Sequence, residues 1–153
     1  RGEIEAAIGR HTTDRKRMAV VEQRTRGVQR GAMAGASAGK HAITRYTTLQ
    51  ACHDAVTLIR CKLMTGRTHQ IRVHLAHIGH PLVGDPVYLR RIPASSKALP
   101  PPLREALLAF PRQALHAASL GFKHPITGKD LSFRSAPPED FARLLTLLEC
   151  NVE

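Results

Sequence analysis

At 153 residues, 42% of them hydrophobic, the chain has the length and the apolar content for one domain with its own core. Lys and Arg total 23 against 12 Asp and Glu, a formal charge of +11, which favours RNA or DNA as partner over an acidic protein. Aromatics are only 4% and Trp is absent, against a stacking platform for single strands; no apolar run suits a membrane span, and no signal peptide is visible.

From the N-terminus, the stretch between Arg10 and Arg30 carries seven Lys or Arg and two acids, and "RMAVV" (17–21) within it reads as a short strand. The segment "GVQRGAMAGASAGKH" (27–41) is rich in small residues, and a flexible Gly/Ala-rich loop is expected over 27–39. Its "GASAGKH" brushes against a phosphate-loop pattern. It has one residue too few between its glycines, and His41 stands where a Ser or Thr belongs, so that reading is rejected. "HAITRYTTL" (41–49) is β-branched and reads as a strand. So does "AVTLIRCKLM" (55–64), with Ala55, Thr57, Ile59, Cys61 and Leu63 on an expected buried face and Arg60 and Lys62 on a wet one.

A helix is expected from about Thr68 to Ile78, with Ile71, Leu75 and Ile78 as its apolar stripe, Gly79 as its cap and Pro81 as its stop. "TGRT" (65–68) then falls at the helix start, where free N–H groups favour anions, and Arg67 adds a cation; Thr65 and Gly66 are also the residues a plain strand-to-helix turn would use. Arg72 borders the stripe and needs a carboxylate, because burying an unpaired guanidinium is very costly. No acid lies within the helix and "GDP" (84–86) reads as a turn, so the partner is expected from elsewhere. His74 and His77, at i and i+3, could share a zinc ion. No Cys or Glu joins them and His80 lies past the cap, so no metal site is assigned.

Beyond a Pro/Ser connector (90–103), "LREALLAF" (103–110) reads as a short helix on Leu103, Leu107 and Phe110. "SLGFKHPITGKDLSFR" (119–134) reads as a hairpin turning at Pro125 and Gly128, with Leu131 and Phe133 inward. "PPEDFARLLTLLE" (137–149) reads as a helix with Phe141, Leu144, Leu145 and Leu148 in one stripe. The whole reads as α+β, a mostly antiparallel sheet with flanking helices. Cys52, Cys61 and Cys150 form no C-x-x-C pair and leave an odd thiol, so a reducing cytoplasm is expected and a disulfide framework is not.

The uninterrupted stretch "LMTGRTHQIRVHLAHIGHPLVGDPVY" (63–88) resembles the signature segment of RluA-family RNA pseudouridine synthases, nearest to members that modify large-subunit ribosomal RNA. "GEIEAAIGRH" (2–11), "RMAVV", "GKHAITRY" (39–46) and "RQALHAASLGFKHPITGKDLSF" (112–133) match further elements in family order. The chain departs from the pattern in a longer loop at 27–38 and in "EAAIG", where a proline commonly precedes the isoleucine. It also lacks the "H-R-L-D" motif that holds the nucleophilic aspartate, and the family tyrosine; Asp14, Asp54, Asp85, Asp130 and Asp140 all lack that context. With Arg1 in place of an initiating Met, the resemblance implies the C-terminal half of a catalytic domain, inactive alone.

The resemblance implies an isomerase that flips a uridine from RNA and works without metal or organic cofactor. Arg72 would ion-pair with the nucleophilic aspartate, absent from this chain, and Ile71 would wall the pocket. Thr65, Gly66, Arg67, Thr68, His69 and Gln70 would hold RNA or position the pocket. Expected partners are RNA, the missing half of the domain or a second copy, and no membrane. The reading from another class is a non-catalytic basic RNA-binding module.

Overall fold

In a computed structural model, residues 1–14, 16–21, 39–53 and 55–149 are described. In chain order they form β1 (Gly2–Glu5), β2 (Ile8–Arg10), β3 (Met18–Val20), β4 (Ile43–Cys52), β5 (Val56–Leu63) and α1 (Gln70–His77). A short 3-10 turn (Ala94–Ala98), α2 (Pro101–Leu108), β6 (Ser119–Lys123), β7 (Asp130–Arg134) and α3 (Glu139–Leu147) follow. Every strand pair is antiparallel: β1–β4–β5 in one sheet, β2–β3 in a second and the β6–β7 hairpin apart. The α+β reading holds. The expected loop at 27–39 falls, but for Gly39, outside the described residues.

The long β4–β5 pair forms where β-branched residues dominate, and a register shift between Thr48 and Gln50 interrupts it. The extra residue lies on β4, and β5 runs on unbroken, yet its buried face is not the expected one: Ile59 and Cys61 are half-buried, but so are Val56 and Leu58 of the opposite parity. Ala55, Val56 and Leu58 pack toward a leucine core, while Thr57 and Leu63 are exposed. Within the strand, the side chains that meet that core are thus of the parity opposite to the expected one, with Ala55 in the turn before it.

Among the described residues two apolar clusters form the core. The larger joins Leu99, Leu103 and Leu107 of the α2 region to Leu144, Leu145 and Leu148 of the α3 region. Each such leucine, fully buried, is worth about 1.5–3 kcal/mol, enough to make this the anchor of the C-terminal region. α2 begins inside its proline run, with Pro at its first positions, where the missing N–H costs nothing. The smaller cluster brings Val73 of α1 against Ile8, Ala42 and Tyr88. Cys52 is disulfide-bonded, a correction to the reduced chain expected, and Cys61 is a free thiol.

The hairpin turns where expected, with Gly128 at φ +67, but its apolar residues do not point into a core. Phe133 is 53% exposed and Phe122 46%, and their rings stack on each other at 6.0 Å. Leu131 is half-buried. The inward alternation assigned to Phe133 is therefore corrected, because no described element covers that face.

Candidate functional site

The helix that carries the signature is shorter than its pattern, Gln70–His77 rather than 68–78, and its buried face is not the aliphatic stripe. Ile78 is exposed and Ile71 half-buried, whereas Gln70, Arg72, Val73, His74 and Leu75 are buried. A polar face can be buried only if each group finds a partner. Here each does. Thr65 donates its hydroxyl to Gln70 Oε1 at 2.7 Å, and the Arg67 amide donates to the same oxygen at 2.9 Å. Gln70 Nε2 donates to Ile43 O and to Thr44 Oγ1. The Thr44 hydroxyl, fully buried, lies 2.9 Å from His74 Nδ1, and His74 Nε2 lies 3.1 Å from Ala6 O.

That chain has one consistent direction. A carbonyl can only accept, so His74 Nε2 carries the proton, Nδ1 accepts from Thr44, and Thr44 accepts from Gln70. His74 is thereby neutral. Burial pushes its pKa below the ordinary 6.5, the Ala6 carbonyl opposes this, and His77 adds to it. With both ring nitrogens engaged, His74 has no lone pair for zinc, and the i, i+3 histidine pair does not form a metal site. Among the described residues no group of three or more His, Cys, Asp or Glu is placed to hold a metal.

Both helix ends are built from backbone geometry. At the C-terminus Gly79 (φ +85) donates to Ala76 O and His80 donates to Leu75 O, the paired bonds of a glycine-closed helix. At the N-terminus His69 is left-handed, at φ 55, with no side-chain cap. A non-glycine residue there carries strain of order 1 kcal/mol or more, held in place by surrounding contacts. His69 Nδ1 lies 3.0 Å from the Tyr88 hydroxyl, which also accepts from the Met18 amide at 3.0 Å. Burial first, then the Arg72 charge, lowers the His69 pKa, against an opposing pull from Asp85.

Arg72 is 9% exposed and is not waiting for a partner. Its Nε and Nη2 each donate to Asp85 at 2.8 Å, a bidentate clasp. This corrects the reading of "GDP" as only a turn, and with it the expectation that the nearest acid in the sequence leaves Arg72 unpaired. The turn is what makes the counter-ion. Gly84, at φ +67, lies so close to the Phe110 and Arg112 carbonyls that a Cβ would meet them at 2.7 and 2.1 Å. That approach tucks Asp85 inward at 2% exposure, where Oδ1 also accepts from the Val87 and Tyr88 amides. Burial alone would raise the Asp85 pKa. The Arg72 hydrogen bonds and the two amides outweigh it and bring it below the ordinary 3.8.

Tyr88 completes the cluster. Its ring lies 5.0 Å from the Arg72 guanidinium and 5.5 Å from that of Arg17, and stands edge-on to His69. Arg17 Nε is buried with no hydrogen-bond partner. Sequence reasoning missed Asp85, Tyr88, Arg17 and Thr44. The available signal was "GDPVY", a glycine–aspartate turn whose carboxylate can cap the amides two and three residues on.

Of the residues assigned to RNA, Thr65 and Gln70 are spent on internal bonds and hold the loop to β4. Gly66, Arg67 and Thr68 are exposed, and Arg67 Nε donates to His41 O at 3.2 Å. His69 is half-buried and adjoins Arg72 through Tyr88.

The model of a family described as RNA pseudouridylate synthase matches residues 2–77, from β1 to the end of α1. With the likeness reported next, the chain belongs to the RNA pseudouridylate synthase family. It is 49% identical over 155 residues to the ribosomal large subunit pseudouridine synthase D of Pseudomonas aeruginosa, covering 99% of this chain and 42% of that protein. The corresponding proteins of Nitrosomonas europaea and Escherichia coli are 46% and 40% identical, with 94% and 99% of this chain and 36% and 41% of theirs covered. The chain thus spans about two fifths of these relatives.

Among solved structures, human RNA pseudouridylate synthase domain containing 1 superposes with a TM-score of 0.59 at 28% identity, over 90% of this chain and 48% of that one. Human RNA pseudouridylate synthase domain containing 4 gives 0.64 at 20% identity over 99% and 57%, a likeness of fold.

Proposed function

We propose that this chain is the C-terminal part of the catalytic domain of an RNA pseudouridine synthase acting on large-subunit ribosomal RNA in the cytoplasm. The observation that carries the reading is the unbroken signature, 63–88, folded so that Arg72 sits clasped in a polar node beside an exposed Arg67. Among the described residues no helix is long and apolar enough to cross a membrane.

The reaction is an isomerisation. A uridine leaves the stack at a cost of a few kcal/mol, offset by contacts to the displaced strand. An aspartate outside this chain promotes cleavage of the N1–C1′ bond. The base turns, C5 bonds to C1′, the C5 proton leaves and N1 gains one, with no metal or organic cofactor. Arg72 pairs with that aspartate while retaining Asp85, since its guanidinium has five N–H groups and Asp85 takes two. Ile71 flanks the pocket, and Gly66, Arg67, Thr68 and His69 present cationic and backbone donors to RNA. Thr65 and Gln70 act by positioning that loop.

The test is the complete protein, carrying the upstream half, assayed for tritium release from C5-labelled uridine in ribosomal RNA. Because Arg72→Ala alone strands a buried Asp85, the informative variant is Arg72→Met with Asp85→Asn, which removes both charges and keeps the fold. Loss of isomerisation in that folded variant is expected, and undiminished turnover overturns the role of Arg72.

A second reading has its own observation: Arg72 is neutralised inside the chain while the whole carries +11. A non-catalytic RNA-binding module fits that. It requires affinity that falls steeply with salt and no isomerisation by the complete protein.

A further inference from the structure

We propose that Asp85 is a positioning residue of the isomerisation, fixing the Arg72 guanidinium by Nε and Nη2 so that Nη1 is presented to a second carboxylate, the nucleophile. The proposal rests on the reading of Arg72 given above and adds a residue that reading does not require.

Four observations carry it. The Asp85 side chain is fully buried, and its own orientation is locked by the Val87 and Tyr88 amides. It binds one edge of the guanidinium in the fork geometry that fixes the plane of both groups. The Tyr88 ring lies against the same guanidinium at 5.0 Å, limiting its rotation. No described residue accepts a hydrogen bond from Arg72 Nη1, although every other polar group of the buried α1 face has a partner. A rigid clamp with one free corner is a device for offering that corner to something else.

Charge gives the clamp a second effect. A carboxylate approaching a lone guanidinium would be stabilised so strongly that it lost nucleophilicity, since a weaker base attacks less readily. Asp85 already neutralises Arg72, so the incoming carboxylate meets a hydrogen-bond donor of fixed direction and little net charge. The other groups facing this point are Tyr88, His69, whose pKa burial lowers, and Arg17 across the Tyr88 ring. Removing the Asp85 charge therefore misaims Arg72 and leaves its cation uncompensated.

The experiment uses the complete protein with Asp85→Asn, which keeps an oxygen for the Val87 and Tyr88 amides. Single-turnover isomerisation and RNA affinity are measured across pH. The rate is expected to fall on the order of 100-fold. RNA affinity is expected to stay within about threefold. The acidic limb of the rate profile moves to lower pH, because an uncompensated Arg72 holds the nucleophile ionised further into acid. A purely structural role leaves that limb in place. Should the Asn variant not fold, Asp85→Glu keeps the charge and displaces it by one methylene, and the same fall in rate at constant affinity is expected.

Wild-type rate and profile in a folded Asp85 variant, with Arg72→Met/Asp85→Asn inactive, overturns the positioning role and leaves the Arg72 reading standing. Absence of isomerisation in the wild-type complete protein sinks both together.

Discussion

The node around Arg72 and the hairpin β6–β7 are built on opposite plans. In the node, charged and polar side chains are buried and each finds its partner within the chain: Arg72 with Asp85, Gln70 with Thr44, Thr44 with His74. In the hairpin, apolar side chains stand in solvent: Ile126 is 89% exposed, Leu120 60%, and the half-exposed Phe122 and Phe133 stack on each other. Polar groups inside and apolar groups outside invert the usual arrangement. The node meets its polar needs from its own sequence but for one corner of Arg72. The hairpin presents a surface suited to another body, whether the remainder of a synthase domain or a second copy.

If that contrast is right, the largest effect belongs to the node. Arg72→Ala leaves a fully buried carboxylate without its cation and should cost about 3–5 kcal/mol in urea unfolding. Arg72→Met with Asp85→Asn should recover most of that, and a double variant as unstable as the single one breaks the account. Gly84→Ala comes next. Its new Cβ would sit 2.1 Å from the Arg112 carbonyl at a positive φ, and a loss on the order of 2 kcal/mol or more is expected.

Thr44→Val keeps shape but cuts the hydrogen-bond chain between Gln70 and His74, and should cost about 1–3 kcal/mol. The same chain sets a pH response. His74 and His69 have pKa values lowered on folding, so the unfolded chain binds their protons first. Their contribution is complete above the ordinary 6.5 and is lost as pH falls below it; Asp85, also lowered, adds a further loss below 3.8. Thermal midpoints measured through both windows check the order. A chain that gains stability on acidification through the first window contradicts it.

The smallest effect on stability belongs to the hairpin. Phe133→Ser should cost only about 1 kcal/mol, the worth of one aromatic pair, because that ring is more than half in solvent and stacks on Phe122. Its effect on association should be the larger one. Sedimentation should show self-association of this chain that weakens when Phe122 and Phe133 become Ser, and a monomer across a wide concentration range removes the hairpin's half of the contrast.

Much of the architecture is legible in the amino-acid pattern because it is local. The β-branched runs at 41–49 and 55–64, the leucine stripe of α3 and the Gly79 cap each follow from a few neighbouring residues. What the pattern hides depends on contacts between distant segments. The α1 face could not be read from periodicity, since its buried members are Gln70, Arg72 and His74, and their partners lie on β4, at Ala6 and in the 85–88 turn. Asp85 looked like loop chemistry because a glycine–aspartate–proline string is a turn signal in either case. Only the close approach of Gly84 to the 110–112 backbone turns the carboxylate inward. Alternation alone places Phe133 in a core, and it carries no information on whether a covering layer exists.

One phenol has a mechanical consequence. Tyr88 touches the guanidinia of Arg17 and Arg72, takes the Met18 amide and meets the His69 ring. The approach to β3 and the threshold of α1 are therefore geared together. Whatever displaces Arg17 bears on the same ring that rests against the Arg72 clasp, so the two arginines share one hinge post.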